Sequence, residues 1–509
     1  MNPEAKKIKS IGVIGGGTAG YFSALYMKKQ FPDIEVTLIE SSKLPIIGVG
    51  EATTSLLQKF MHKYMEWPVQ EIFQKVKPTL KLGIKFYWGR KDVSHYNFPF
   101  GPADTVNALY YTGDYNNNSI PAMLMEQNKA PFLKQGGKIT PININKGYAY
   151  HIDNETLIAF LKVKLKESGC HHIDTEIKDA VKKPSSQEID AVIGEDGKHH
   201  RFDLFIDCSG FRSFLLGQIL KAKWVDFSGS LKTNRAVIGM QDHHGKIKPF
   251  TSATTLNHGW LWNTPTQKED HLGYVFSKEH CSDDEAMHEL RKHCKHINNE
   301  KVISFRSGRY ENSWIENVVG IGNTFAFVEP LESTGLHMII MQLRTLSKSI
   351  AANKPKEVYN QKVNDAWDNI KYFIAIHFKF NAKLDTPFWE ECRTNIDVSG
   401  VQDYLDYYME HGPVFLNVGH PIREAMKKND LFSGYAYDGI MAASGVNLEF
   451  FQKKNVCVSD NWMKVYEFQK NLVKNAISHE EGLKYLEENP TSFIADWFLT
   501  EEEKANAAV

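Results

Sequence analysis

Residues 9–20 read KSIGVIGGGTAG, a short apolar run that leads directly into a glycine loop. The apolar part predicts a buried strand over 9–16, and the residues after the loop predict a helix from about Ala19 to Lys29. A second strand is predicted over Glu35–Glu40. Together these elements form a β-α-β unit of about 30 residues, for which a right-handed crossover is expected.

Glycines fill the three positions of a GxGxxG pattern in this unit. The first permits a tight turn, the second lets the backbone approach a pyrophosphate, and the third lets the helix pack close to the strand. The phosphates would lie at the helix N-terminus, where free N–H groups favour anions. The alternative is a glycine turn used only for packing. The dinucleotide interpretation assigns cofactor contacts to Gly15, Gly17, Thr18, Ala19, Gly20 and the ribose-binding acid at the end of the second strand, Glu40.

Two later segments favour FAD over NAD, which the first unit alone does not distinguish. Asp207–Arg212 and Gly320–Phe327 each follow a strand-like apolar run. They resemble the second and third flavin-contact segments of FAD monooxygenases, which makes Gly322 a cofactor contact. Asn323 stands where such folds commonly carry an aspartate, and its amide still donates and accepts hydrogen bonds.

The composition limits the function classes. The chain has 509 residues, a net charge of -1 and 42% hydrophobic residues, enough for a large core. Near-zero charge argues against a general nucleic-acid surface. We expect no signal peptide, and no stretch approaches the roughly 18 apolar residues of a membrane span. The six cysteines are sparse and irregular, which is typical of reduced thiols in a cytoplasmic protein.

No metal site is predicted. One group of histidines and cysteines lacks the paired spacing of zinc ligands. This group is His280, Cys281, His293, Cys294 and His296.

No repeat or linker divides the chain, so interleaved domains are expected. Helical patterns cover 336–352, 357–380 and 461–475, and strands are predicted in the aromatic-rich middle. The expected fold is α/β, with a Rossmann-like FAD-binding domain of the FAD monooxygenase type and an interleaved, largely helical substrate domain. The FAD-binding domain is assigned to 1–80, 140–220 and 300–355, and the substrate-binding regions to 81–139, 221–299 and 356–509.

Three further segments carry a family resemblance: PTLKLGIKF at 78–86, GWLWNTP at 259–265 and EPLESTG at 329–335. With them, the chain resembles the flavin-dependent tryptophan halogenases over most of its length. GWLWNTP is similar to the family's W-x-W-x-I-P signature, although Thr264 replaces the usual isoleucine.

The resemblance implies a catalytic pair, Lys81 and Glu332. It also implies a gate and substrate group made of Trp260, Trp262, Pro265 and Ser333. A second glycine loop resembles the family's flavin-side loop, although an ordinary turn is the alternative. This loop adds cofactor contacts at Gly48, Gly50, Glu51, Ala52 and Thr53. Backbone N–H groups at Thr334 and Gly335, in a turn before a helix, are suited to a halide.

The implied activity is the halogenation of an electron-rich aromatic of the indole, tryptophan or phenol type. FADH2, O2 and chloride, bromide or iodide would yield hypohalous acid, which is diffusible and unselective. Lys81 can hydrogen-bond this oxidant or form a haloamine, and Glu332 can polarise it or take up the ring proton. Because no second dinucleotide fingerprint appears, a separate NAD(P)H-dependent flavin reductase is expected. The sequence leaves open whether the chain works as a homodimer.

Each site residue also has a structural alternative. Lys81 would be a surface lysine if 80–86 were one strand. Glu332 would be an acid at a helix N-terminus, next to a serine or threonine cap. The two tryptophans would be core residues. For His151 and His337, the sequence does not distinguish a structural role from a position next to the flavin.

Two other functions remain for the whole protein: a single-component FAD aromatic hydroxylase, or a non-catalytic flavin-binding protein.

Overall fold

The computed structural model describes residues 8–44, 50–100, 116–117, 119–144, 147–414, 419–428, 431–447 and 460–492. The β-α-β unit is present as strand Ser10–Ile14, helix Thr18–Gln30 and strand Glu35–Glu40. The two strands are parallel neighbours, with Ile11 opposite Val36. Both of these side chains are buried. A strand that is buried on both faces is expected to be apolar throughout, as this run is, without alternating polar residues.

Six strands form the sheet that carries the glycine loop, here called the parallel sheet. In spatial order they are His171–Asp174, Glu35–Glu40, Ser10–Ile14, Leu204–Asp207, Val318–Gly320 and Trp314–Ile315. All neighbours are parallel except the last pair. Because the carboxyl ends of parallel strands share one edge, the loops after Ile14, Asp207 and Gly320 meet there.

Seven strands from the middle of the chain form a second sheet, here called the gate sheet. In spatial order they are Asn298–Ser304, Arg235–Gln241, Asp270–Phe276, Gly259–Pro265, Thr251–Leu256, Gly83–Tyr87 and Tyr96–Pro99. Thr251–Leu256 and Gly83–Tyr87 are parallel, and the other neighbours are antiparallel. The strands predicted in the aromatic-rich middle are therefore present.

A small sheet, here called the lysine sheet, contains the strand that ends at Lys81. Its strands, in spatial order, are Glu51–Ala52, Ala149–Ile152 and Thr79–Lys81. After Leu82 the chain enters Gly83–Tyr87 of the gate sheet. The single strand considered over 80–86 is therefore two strands in two different sheets.

Three more three-stranded sheets lie outside the site. Their strands are Ile177–Lys182, Ile189–Gly194 and His199–His200; Trp224–Asp226, Gly308–Tyr310 and Ala326–Phe327; and Lys129–Gln135, Lys138–Pro141 and Ala476–Ser478.

The helices predicted at 336–352, 357–380 and 461–475 are present as Gly335–Ala351, Lys356–Lys379 and Asp460–Lys474. The other α-helices are Ser55–Gln58, Val69–Lys75, Ile120–Glu126, Asn154–Glu167, Asp283–His293, Pro387–Asn395, Gln402–His411, Pro421–Lys428, Gly434–Ala443 and His479–Glu488. Lys59–Tyr64 and Phe214–Ile219 are π-helical turns. Among the described residues, no helix is long and apolar enough to cross a membrane.

Candidate functional site

The glycine loop leaves open space at the N-terminus of helix Thr18–Gln30. Gly15 has φ of +120°, and a Cβ there would lie 2.3 Å from the carbonyl oxygen of Cys208. A Cβ on Gly20 would lie 1.8 Å from the Gly15 oxygen. A Cβ on Gly17 would meet no atom within 4 Å. Packing therefore requires the first and third glycines, whereas the second faces space suited to a phosphate.

Glu40 is held against this loop at the end of its strand. Its Oε1 accepts the hydroxyl of Tyr21 at 2.5 Å and contacts Nε2 of His172 at 2.9 Å. Its Oε2 lies 1.8 Å from where a Cβ on Gly16 would stand. The hydroxyl of Thr18 donates to Oδ1 of Asn154 at 3.1 Å. The Glu40 carboxylate thus lies at the sheet edge where the sequence predicts the ribose, and its Oε1 already contacts Tyr21 and His172.

The segment Gly320–Phe327, which the sequence predicts to contact flavin, borders the start of helix Thr18–Gln30. Gly322 has φ of +63°, and its Cβ position is 3.6 Å from the side chain of Ala19. Its amide donates to Oε1 of Gln342 at 3.0 Å. Asn323 is exposed. This segment and the start of the helix therefore lie together, and the role of Gly322 as a cofactor contact stays a prediction.

The second glycine loop is described only from Gly50 onward, and Gly48 lies outside the described residues. A Cβ on Gly50 would lie 2.7 Å from the ring of His271 in the gate sheet. Burial raises the pKa of Glu51 to about 7. Ala52 pairs with His151 in the lysine sheet, so the end of this loop lies between the gate sheet and Lys81.

Lys81 is fully buried, so its interpretation as a surface lysine is wrong. Its Nζ donates to Oγ of Ser333 at 2.7 Å and to the carbonyl of Thr53 at 3.1 Å. The same atom lies 5.3 Å from the ring centroid of Phe100. Burial lowers the pKa of Lys81 to about 7, against a smaller opposing effect of the Glu332 charge. Near neutral pH, a large share of Lys81 is therefore the nucleophilic free amine.

The EPLESTG segment forms a turn before helix Gly335–Ala351. The amide of Ser333 donates to the carbonyl of Pro330 at 2.9 Å, and Ser333 has φ of +57°. This left-handed conformation costs a non-glycine residue about 1 kcal/mol. The N-cap residue is Thr334, and it makes no side-chain cap hydrogen bond. Because the Ser333 hydroxyl is the partner of Lys81, helix capping does not explain the serine.

Thr334 and Gly335 place backbone amides at the start of a 17-residue helix. A Cβ on Gly335 would meet no atom within 4 Å, and the first turn contains no acidic side chain. The unpaired N–H groups of a helix start attract anions. The geometry is therefore compatible with the halide position expected from the sequence.

Trp260 and Trp262 lie on the same face of strand Gly259–Pro265, with their ring centroids 6.1 Å apart. Nε1 of Trp260 donates to Oε1 of Glu329 at 2.9 Å, and the hydroxyl of Thr233 donates to Oε2. Burial raises the pKa of Glu329 to about 7. The first glutamate of EPLESTG therefore holds a ring of the proposed gate.

His151 connects the lysine sheet to strands of the gate sheet. Nδ1 of His151 lies 3.2 Å from the hydroxyl of Thr79, which donates to the carbonyl of Pro265 at 2.9 Å. Nε2 of His151 lies 2.8 Å from the hydroxyl of Thr251. Burial holds the pKa of His151 well below its usual range, so the ring is neutral. These contacts favour the structural interpretation of His151.

His337 lies on the first turn of helix Gly335–Ala351, with Nδ1 2.8 Å from the hydroxyl of Thr54. Burial lowers its pKa to about 4. It is therefore a neutral side chain that ties this helix to the residues following Thr53.

Two residues of the site were not singled out from the sequence. Glu329 was visible inside EPLESTG, but its contact with Trp260 spans 69 positions. Nε2 of His377 lies 2.9 Å from Oε1 of Glu332. Nothing in the sequence marks His377 as a site residue, because it belongs to the regular pattern of a long helix. Within the described ranges, no cluster of three or more histidine, cysteine or acidic side chains could hold a metal ion.

The arrangement matches a known class of enzyme. The family model for tryptophan halogenase matches residues 10–459. The chain therefore belongs to the tryptophan halogenase family, whose members are flavin-dependent halogenating enzymes that use FAD and halide and act on small aromatic substrates.

Particular relatives agree with this assignment. The tryptophan 7-halogenase RebH of Lentzea aerocolonigenes is 29% identical over 444 residues, which cover 79% of this chain and 82% of RebH. The tryptophan 7-halogenase KtzQ of Kutzneria sp. (strain 744) is 30% identical and covers 81% of this chain and 84% of its own. The crystal structure of MibH, a lanthipeptide tryptophan 5-halogenase, superposes with a TM-score of 0.88 at 33% identity and covers 100% of both chains.

The residues of the nucleotide site fit FAD. Gly17 faces open space at a helix N-terminus that has no side-chain cap, and Glu40 lies at the adjoining strand end. The loops after Asp207 and Gly320 meet the same edge. Reduced FAD bound there would supply the flavin chemistry through which enzymes of this family convert a halide to an electrophile.

Proposed function

We propose that this enzyme halogenates the indole ring of tryptophan, with Lys81 and Glu332 as its catalytic residues. The observation that carries the proposal is the hydrogen bond between Nζ of Lys81 and Oγ of Ser333, 2.7 Å long. It joins the buried lysine to the turn that also holds Glu332. A lysine with a pKa of about 7 provides a neutral amine at physiological pH.

Lys81 takes the halogen from hypohalous acid, and Glu332 takes up the ring proton. The free amine of Lys81 attacks the halogen, and hydroxide leaves. The halogen then passes to the aromatic carbon, which supplies the electron pair for the new bond. Loss of the ring proton to Glu332 restores aromaticity. The buried site excludes water, which would otherwise compete for the oxidant.

We further propose that oxygen is the terminal oxidant and that Thr334 and Gly335 bind the halide. The first turn of helix Gly335–Ala351 supports this position, because it has no side-chain cap and the first N–H groups of a helix have no partner within the helix. Trp260, Trp262 and Pro265 separate the flavin from the substrate, and Glu329 fixes the first ring. This separation favours halogenation over direct hydroxylation.

The indole can be presented as free tryptophan or within a peptide. RebH and KtzQ are named as tryptophan 7-halogenases, and MibH is named as a lanthipeptide tryptophan 5-halogenase and matches over the whole length of both chains. These similarities favour indole over phenol, and the 33% identity with MibH makes a peptide-borne tryptophan a specific second candidate.

A separate NAD(P)H-dependent flavin reductase supplies FADH2. The proposal rests on the single GxGxxG unit of the sequence. We propose that the enzyme works in the cytoplasm, where such a reductase and its nicotinamide cofactor occur together.

The proposal also keeps the interleaved FAD-binding domain made of residues 1–80, 140–220 and 300–355. The strand order of the parallel sheet supports this assignment.

Mass spectrometry of reaction products tests the proposal. The enzyme is given FAD, a flavin reductase, NADH, oxygen, and chloride, bromide or iodide in turn, with free tryptophan, a tryptophan-containing peptide, indole and a phenol. We expect a halogenated indole product that disappears in Lys81→Ala. Lys85→Ala is the matched control, because Lys85 is also buried but pairs with Glu126 at 2.9 Å. A hydroxylated product, or halogenation that survives Lys81→Ala, contradicts the mechanism.

A further inference from the structure

A buried histidine faces the catalytic carboxylate. His377 lies near the end of helix Lys356–Lys379 and is fully buried. Its Nδ1 is 2.7 Å from the carbonyl oxygen of Phe373, one helical turn earlier. Its Nε2 is 2.9 Å from Oε1 of Glu332. Each ring nitrogen therefore has an oxygen atom as its nearest polar neighbour.

The two contacts together determine where protons must be. A carbonyl oxygen only accepts, so Nδ1 of His377 carries a hydrogen. If the ring were neutral, Nε2 would then present a lone pair to Glu332. An ionised carboxylate also presents only lone pairs, and two facing acceptors at 2.9 Å repel each other. The contact is therefore favourable only when Nε2 or Oε1 carries a proton.

The two atoms have few polar neighbours. Nε2 of His377 and Oε1 of Glu332 lie at ion-pair distance without the angle of a formed hydrogen bond, and neither atom has another hydrogen-bond partner among the described residues. The His377 ring packs against the rings of Phe86 and Phe373, with centroids 5.4 and 4.8 Å away. An unpaired charge in such apolar surroundings would be costly.

We propose that His377 and Glu332 form an ion pair, in which His377 is the positioning residue that carries the proton and leaves Glu332 ionised to accept the ring proton. This inference rests on the proposed function of Glu332. In the halogenation step, the carbon–hydrogen electrons return to the ring, and the proton goes to a Glu332 oxygen. That proton finally neutralises the hydroxide released when the oxidant is consumed, giving water.

The pairing also acts on Lys81. The charge of Glu332 opposes the burial effect that lowers the pKa of Lys81. An imidazolium next to Glu332 reduces the field of that carboxylate at the lysine. His377 thereby keeps Lys81 in its neutral, nucleophilic form while Glu332 remains a base.

A second buried histidine provides a matched control. His479 is also fully buried, and its Nδ1 lies 2.8 Å from the carbonyl oxygen of Ile247. In the part of the chain that the structure describes, its Nε2 has no hydrogen-bond partner. Burial lowers the pKa of His479 to about 4. His479 therefore has the same carbonyl contact without the second partner.

The first test is nitrogen NMR of the enzyme labelled with 15N-histidine, without substrate, at pH 7.5. We expect an imidazolium signal for His377, identified by its loss in His377→Gln, and a neutral ring for His479. In Glu332→Gln the His377 signal should change to that of a neutral ring. A neutral His377 in the unmodified enzyme, unchanged by Glu332→Gln, overturns the proposal. Should His377→Gln fail to fold, His377→Asn serves for the assignment.

The second test compares halogenation of tryptophan and of tryptophan deuterated on the indole ring. In His377→Gln we expect kcat to fall by about 100-fold with little change in KM, and a primary isotope effect that the unmodified enzyme lacks. His479→Gln should retain normal kcat and no isotope effect. Equal behaviour of the two variants overturns the inference. If the unmodified enzyme halogenates nothing, the proposed function fails, while the NMR result still decides whether His377 carries the proton.

Discussion

Nζ of Lys81 donates a hydrogen bond of 2.7 Å to Oγ of Ser333, although 252 positions separate the two residues. A hydroxyl can accept from an ammonium group and can also donate to a free amine. Ser333 can therefore hold Lys81 in both protonation states. This property suits a lysine whose pKa lies near 7 and which, in the proposed mechanism, must lose a proton before it reacts.

Lys81→Arg distinguishes the two roles that the sequence allows for the lysine. Arginine keeps the charge and the hydrogen-bond donors but is not a neutral nucleophile at working pH. If the amine forms a haloamine, we expect Lys81→Arg to lose activity by at least about 100-fold, as Lys81→Ala does. Measured product formation well above that of Lys81→Ala would show that hydrogen bonding to the oxidant suffices. Lys85→Arg is the control for a buried lysine outside the site.

The stability of the enzyme should depend on pH through Lys81. Its pKa is about 7 in the folded chain and near 10.5 in the unfolded chain, so the unfolded state binds more protons between these values. The contribution of Lys81 to unfolding free energy should therefore rise with pH from about 7 to 10.5, by up to about 1.4 kcal/mol per unit. Below pH 7 the full penalty for the buried charge applies. Urea unfolding of Lys81→Met should lack this part of the slope, and identical slopes would refute the assignment.

Substitutions of Ser333 should separate backbone strain from function. Ser333→Ala and Ser333→Gly both remove the hydroxyl partner of Lys81, so both should lower the halogenation rate. Because φ is +57°, glycine should be more stable than alanine at this position by about 1 kcal/mol. Denaturant unfolding measures the stability difference, and product formation measures the rate. Normal activity in Ser333→Gly would show that the hydroxyl is dispensable.

Two glycines of the nucleotide loop should give opposite results. A Cβ on Gly17 meets no atom within 4 Å, so Gly17→Ala should keep its melting temperature but bind FAD more weakly. A Cβ on Gly20 would lie 1.8 Å from the Gly15 oxygen, so Gly20→Ala should lose about 1–3 kcal/mol of stability. Thermal unfolding without cofactor and FAD titration by fluorescence quenching separate the two effects. A destabilised Gly17→Ala with normal FAD affinity would contradict the phosphate-binding role.

The sequence by itself determined the parts of this protein that depend on local pattern. The glycine spacing and apolar runs predicted the β-α-β unit, because turn geometry and burial act over a few neighbouring residues. Helix Gly335–Ala351 was predicted within one residue at each end. The segments containing Lys81 and Glu332 were recognised by resemblance, which needs no knowledge of their environment.

Only the tertiary structure decided which atoms meet and in what electrostatic setting. The chain leaves the strand ending at Lys81 and enters a second sheet after Leu82, so Lys81 and Lys85 lie in different sheets, whereas an uninterrupted strand would have placed them on one face. The contact between His377 and Glu332 joins a helix to a distant turn, and no periodicity in the sequence encodes it. Burial and pairing of charges arise from packing across the whole chain, and these interactions set the protonation states on which the chemistry depends.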